Sequence, residues 1–262
     1  MLVFIKLGGS LITDKNVESS FREDVMQRLA NEIVRANQKS SELQLIIGHG
    51  SGSFGHFIAK KHNTADGVST DEQWRGMGEV ATIASKLNYL VANSLYQAGA
   101  PIFRIQPSAS AIAHDGQLIE MALRPIEKMI KHSVIPLVYG DVSIDEIRGG
   151  TIISTETILS YLAHHLPIRQ VLLLGETEGV YNLEGAIIPE ITPQNINQVE
   201  RSLGGSGGTD VTGGMKSKVL EMLTLVKSFP VLTIRIMDGR VPDLLYEALM
   251  GTIQPGTLIS AT

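Results

Sequence analysis

The chain has no cysteine, which removes disulfides, thiolate metal sites and thiol catalysis together. It also has no surplus of positive charge. The 22 Lys and Arg against 27 Asp and Glu leave a net charge of −5, so no electrostatic footprint for nucleic acid is visible. Long apolar runs are missing as well: charged residues interrupt every apolar stretch short of membrane-spanning length, and no membrane contact is expected. The opening Leu2-Val3-Phe4-Ile5-Lys6-Leu7 reads directly as a strand, with no cationic segment leading into a long apolar one. No signal peptide is expected, and a cytoplasmic location is. What is present is 43% hydrophobic residues in 262, enough for one large domain or a two-lobed one.

Short apolar runs alternate with longer amphipathic stretches. The strand candidates are 2–7, 43–48, 101–105, 134–139, 170–174 and 231–237. Between them, apolar residues recur every three or four positions in 20–37, 73–98, 122–132, 156–166, 215–228 and 241–250, the spacing of helices. Ser20 followed by Glu23 predicts a capping box opening the first of these. Near-continuous β-branched strands alternating with helices predict an α/β fold with a parallel sheet covered on both faces. The stretch 142–153 predicts a hairpin about Arg148-Gly149-Gly150. The glycine-rich patch Gly204–Gly208 reads as a mobile loop.

Three glycine-rich stretches stand at strand ends or helix starts: KLGGSL (Lys6 to Leu11), GHGSGSFGH (Gly48 to His56) and DVTGGMKSK (Asp210 to Lys218). Glycine is common in such turns for steric reasons alone. Three of them in a parallel α/β chain, two carrying lysine, point instead to anion binding by backbone N–H groups at the carboxyl ends of the strands. Residues 50–55 also satisfy G-x-G-x-x-G, the dinucleotide pattern. That reading needs a second strand soon after, ending in an acidic residue. Residues 59–73 are polar and turn-rich and hold no strand for Asp66 or Asp71 to sit on. No G-x-x-x-x-G-K-[ST] occurs either, so phosphate must be cradled in a third way.

These motifs, with YGD (Tyr139 to Asp141) and EGVY (Glu178 to Tyr181), occur in an order and spacing that resemble the amino acid kinase family across the whole chain. The resemblance implies a three-layer αβα sandwich around a mainly parallel sheet. It implies one domain, with an acceptor-binding lobe over about 1–165 and an ATP-binding lobe over about 166–262. Lys15 after GGSLITD, His56 closing the second loop, and IQPSA (Ile105 to Ala109) resemble the branch that phosphorylates isopentenyl phosphate with ATP.

A phosphate monoester has its second pKa near ~6, so at neutral pH the acceptor is mostly a dianion and already a nucleophile. Catalysis of such a transfer is positioning plus positive charge. By resemblance, Lys6 and Lys15 stabilise the transferring phosphoryl group, and His56 completes the catalytic set. The ATP site draws on Lys6, Gly8, Gly9, Ser10, Gly52, Gly175, Glu176, Tyr181, Gly214 and Lys218, with Gly213 and Asp210 beside it. The acceptor site draws on Ser51, Gly52, His56 and Gly140, with Asp141 on the same wall or organising the lysines. Trp74, Met77, Val80, Ala81, Ile83, Ala84 and Leu87 lie at helical spacing and read as core, with Met77, Val80 and Ile83 the candidates to line a pocket for a five-carbon tail. His49 reads as a packing residue.

Two departures stand out. The family's Ser-Gly-Asp before the helix at 156 is Ser154-Thr155-Glu156 here, and its Thr-Asp-x-Asp-Gly-Val is Gly175-Glu176-Thr177-Glu178-Gly179-Val180. Carboxylates are kept with one more methylene of reach. Mg²⁺ is expected with ATP, held largely by phosphate and water, since the sequence shows no metal cage of its own. A homodimer pairing helices against the sheet edge is implied by resemblance. Kinases of the same family for another small phosphate or phosphonate such as fosfomycin, and a non-catalytic nucleotide-binding protein, stay open as readings. Uridylate kinase is disfavoured, because no basic cluster suits a nucleotide monophosphate acceptor.

Overall fold

Leu2 to Leu7 is the strand on which the rest is assembled. In the computed structural model, residues 1–203 and 214–262 are described, with the side chains of His56 and of 201–203 excepted. The elements run β1 (Leu2–Leu7), α1 (Gly9–Ile12), α2 (Glu23–Lys39), β2 (Gln44–His49), α3 (Gly52–His62), α4 (Asp71–Gln97), β3 (Ile102–Arg104), β4 (Ile112–His114), β5 (Gln117–Glu120), α5 (Leu123–Lys131) and β6 (Ile135–Tyr139). They continue with β7 (Asp141–Asp145), β8 (Gly149–Ile153), α6 (Thr155–His165), β9 (Ile168–Gly175), β10 (Glu190–Ile191), α7 (Ile196–Leu203), α8 (Gly214–Ser228), β11 (Thr233–Asp238), α9 (Leu244–Met250) and β12 (Thr257–Ile259).

The large sheet has the order β10-β12-β11-β9-β1-β2-β6-β3. The six strands from β11 to β3 are mutually parallel, β12 runs antiparallel to β11, and β10 follows β12. Every residue of β1 is buried, as a strand covered on both faces must be. Alternation along it sends Val3, Ile5 and Leu7 to one apolar layer with α2, α4 and α9, and Leu2 and Phe4 to the other with α5, α6 and α8. The result is the expected three-layer αβα sandwich. The same alternation places Lys6, in step with Phe4, on the face of α6 and α8.

A second sheet, β5-β4-β7-β8, carries the predicted hairpin: β7 and β8 pair antiparallel with Ser143 opposite Thr151. All six predicted strands of the large sheet form. Helix α3 is a correction, since the stretch expected to be irregular from residue 59 is helical to His62; no strand separates it from α4. Ser20 is a second correction. Thr13 bridges Phe21 antiparallel, and Asp14 N–H donates to the Ser20 carbonyl at 3.0 Å. Ser20 is thereby committed to a small flap, and α2 starts after Arg22 with no side-chain cap. The capping box occurs at Thr70 and Gln73, opening α4. The patch Gly204–Gly208 lies outside the described residues.

Candidate active site

The first two glycine loops meet at the carboxyl ends of β1 and β2. Gly8 N–H donates to the Leu174 carbonyl at 2.8 Å, and Gly50 N–H to that of Leu7 at 3.0 Å. The backbones then come so close that a Cβ on Gly9 would stand 2.4 Å from the amide nitrogen of Gly52. Gly52 itself has φ +49°, and a Cβ there would meet the Thr13 hydroxyl at 2.1 Å. Thr13 ties the loops together: its hydroxyl donates to the Gly9 carbonyl at 2.7 Å and accepts from Ser53 N–H at 3.0 Å. Close packing of loop on loop accounts for Gly9 and Gly52, and Thr13 is a site-building residue that no sequence motif flagged. Ser10 lies in α1, and Ser51 occupies the N-cap position of α3.

Lys6 stands one residue before the end of β1 with its ammonium buried, and it needs a partner there. Glu156, in the first turn of α6, provides the ion pair and hydrogen bond. Lys218 of α8 reaches the same carboxylate oxygen at 4.0 Å. At this departure from the family pattern, the Glu side chain reaches from the helix to both lysines. Burial pushes Glu156 up, but Lys6 first and then Lys218 outweigh it and hold the carboxyl below its ordinary value. On α8, burial and then repulsion from Glu156 raise Glu221. Ser154 caps α6, its hydroxyl accepting from Thr157 N–H at 2.9 Å, which fixes the turn that carries Glu156.

Lys15 belongs to a second group. It stands exposed on the flap between Thr13 and Phe21, 3.7 Å from the carboxylate of Glu176 just beyond β9. Arg22, at the base of the flap, donates to the other oxygen of Glu176 at 2.8 Å. Arg22 is a residue that sequence reasoning missed, because its partner lies 154 positions away. Gly175 ends β9, and Tyr181 directs its hydroxyl to Glu178 at 3.2 Å. Lys218 and Gly214 lie on α8, while Asp210 and Gly213 fall outside the described residues. His56 lies on α3 within one turn of Gly52, its side chain outside the description.

His49 packs, as expected. Its ring is buried and stacks on Tyr139 at 5.6 Å. Arg104 donates to the Asn88 side-chain oxygen, which turns the Asn88 amide N–H toward His49 Nε2 at 3.1 Å and leaves Nδ1 to donate to the Gly50 carbonyl at 3.0 Å. Burial pulls this imidazole down to about 4. Beyond Gly140, buried Asp141 accepts from the Ser108 N–H at 3.0 Å, so the YGD and IQPSA motifs touch. Met77 and Val80 of α4 join a small apolar cluster with Ile58, Val68 and Val142, and Ile83 packs on its edge. The last three members of that core come from α3, the α3–α4 connection and β7, which periodicity along α4 could not reveal.

A family model described as "Amino acid kinase family" matches residues 1–238. The isopentenyl phosphate kinase of Methanocaldococcus jannaschii is 32% identical to this chain over 260 residues, covering 97% of each. That of Methanothermobacter thermautotrophicus is 32% identical over 270 residues, covering 99% of each. A solved isopentenyl phosphate kinase structure superposes with a TM-score of 0.83 at 27% identity, over 99% of this chain and 100% of that one.

Proposed function

The chain belongs to the amino acid kinase family, and from that premise we propose that it transfers the γ-phosphoryl group of ATP to isopentenyl phosphate, giving isopentenyl diphosphate and ADP. The observation that carries this reading is the pair of lysines, Lys6 and Lys218, gathered on one buried carboxylate beside two interlocked glycine loops. Such a site offers positive charge and backbone N–H groups, and its carboxylate Glu156 is engaged by both lysines. A phosphate dianion needs no general base: its oxygen attacks the γ-phosphorus in line, the bond to the β-phosphate oxygen breaks, and ADP leaves with the electron pair.

In this reading Lys6 and Lys15 neutralise the transferring group, and Lys218 holds ATP phosphates. The loop glycines Gly8, Gly9 and Gly52, together with Ser10, surround the phosphates, while Gly175, Glu176, Tyr181 and Gly214 complete the nucleotide side. The acceptor phosphate is held by His56, Ser51 and Gly52, with Gly140 as wall. Its tail enters between Met77, Val80 and Ile83, against the apolar cluster of Val68 and Val142. The acceptor lobe is then about 1–165 and the ATP lobe about 166–262, sharing β1 and β9 as central neighbours.

Mg²⁺ would arrive on the ATP phosphates and neutralise part of their charge. Among the described residues no three His, Asp or Glu side chains gather as a metal site, and Glu156 and Glu221 beside two lysines suit a phosphate-borne cation. A homodimer is inferred through the free edge of β3 and the outer face of α4, where Phe103, Tyr89 and Tyr96 are exposed. The proposed location is the cytoplasm; among the described residues no helix is long and apolar enough to cross a membrane.

The test is ADP release by the purified protein with ATP, Mg²⁺ and isopentenyl phosphate. The wild type is expected to turn over, and Lys6→Met to lose about 10²–10³ in kcat, the scale of one lost charge-stabilising donor. Acceptor-independent ATP hydrolysis at equal rates in both proteins would contradict the reading.

A further inference from the structure

Resting on the kinase reading, we infer that Arg22 is a second polyphosphate-binding cation beside Lys15, and that Glu176 is the resident counter-ion which the nucleotide phosphates displace. Arg22 and Lys15 stand on either side of one carboxylate, at 2.8 and 3.7 Å. That carboxylate is one residue beyond Gly175, and Gly175 adjoins Gly8, whose amide bonds the preceding Leu174 carbonyl. The cluster therefore sits on the rim of the glycine loops and not on a remote surface.

Both cations are held there by backbone. The Thr13–Phe21 bridge closes the flap that carries Lys15. Arg22 N–H donates to the Ile12 carbonyl at 2.9 Å, so the start of α2 positions its guanidinium. Two cations share one carboxylate, and a third, Arg240, feels the same charge while donating to both oxygens of Asp238. Arg240 is matched by Asp238 and also feels Glu178, so the carboxylate that Arg22 and Lys15 share is Glu176 alone. A guanidinium already turned toward an anion beside a phosphate-binding loop is placed to exchange that anion for phosphate oxygens, for which its planar fork is suited. This also gives a physical role to Glu176, a position where the chain departs from its family pattern.

The experiment is calorimetric titration of ATP into the protein without acceptor, so that an error about the acceptor leaves the readout intact. Arg22→Gln is expected to weaken ATP binding by about 10- to 100-fold, the range for a lost charge-assisted hydrogen bond. Arg22→Lys should recover part of that loss. The KM for isopentenyl phosphate should stay within about twofold, since Arg22 faces the nucleotide. Glu176→Gln removes the competing anion and should tighten ATP binding. If Arg22→Gln binds ATP like the wild type, or if Glu176→Gln weakens binding as much as Arg22→Gln does, the pair is a structural tie and the inference is overturned. Thermal melts of each variant confirm that a folded protein is being titrated. A wild type that binds no ATP would overturn the kinase reading together with this one.

Discussion

At the scale of single residues, the environment assigns opposite tasks to groups of similar chemistry. Lys6 is buried and must be matched, so its charge is pinned by Glu156; Lys15 is exposed on the flap and faces Glu176. His49 and His56 bracket the same glycine loop, yet His49 is fixed by Tyr139, Asn88 and the Gly50 carbonyl and cannot take a proton without breaking that arrangement. Its ordinary value is near ~6.5 and its folded value about 4. Between those limits the unfolded chain binds a proton that the folded protein refuses, so stability rises with pH across the window and falls as pH drops through it. The full difference is about 3 kcal/mol. Urea denaturation at pH 7 and at pH 4.5 should show most of this loss in the wild type, and His49→Phe should show a shallower dependence whatever its stability at pH 7. An unchanged slope would mean that the ring titrates normally in the folded state.

At the scale of elements, β1, β2, β6, β9 and β11 could be read because each is a short, largely buried apolar run, a pattern that depends on no partner. Strands β4, β5, β10 and β12 have two to four residues each and carry no comparable run. Helix α3 was hidden because its first turn is built from Gly52, Ser53 and Gly55, which read as loop until the Thr13 hydroxyl and the first glycine loop hold them. Ser20 misled for the opposite reason: the local capping signal was intact, but pairing with the Thr13–Asp14 strand segment claimed it. The site divides in the same way. Lys6, Lys15, His56 and Lys218 could be put forward as candidates because they sit in motifs, whereas the Arg22–Glu176 pair and Thr13 are defined by contacts between distant segments.

The loop-on-loop contact predicts that Gly9→Ala is destabilising, since its Cβ would press on backbone at 2.4 Å that has no rotamer to give way. A loss of about 1–3 kcal/mol is expected from overpacking, with a matching drop in ATP affinity as the two loops separate. Denaturant midpoints and ATP titration on the same preparation check both. A variant as stable as the wild type would mean that the loops slide past each other freely.

At the scale of the whole molecule, one sheet brings the glycine loops to β1, with α6 and α8 contributing charged side chains on one face; in the proposed reading nucleotide and acceptor lie on either side of β1 and α4 gives the acceptor an apolar floor. The family relationship accounts for phosphoryl transfer in general; the proposal assigns the choice of acceptor to the second glycine loop and the cluster around Met77 and Val80. The most direct test is therefore a comparison of kcat/KM across acceptors by ADP release: isopentenyl phosphate, dimethylallyl phosphate, fosfomycin and UMP. The account predicts that prenyl phosphates are used best, with fosfomycin and UMP poor. Efficient turnover of fosfomycin or UMP, with none of either prenyl phosphate, would contradict it.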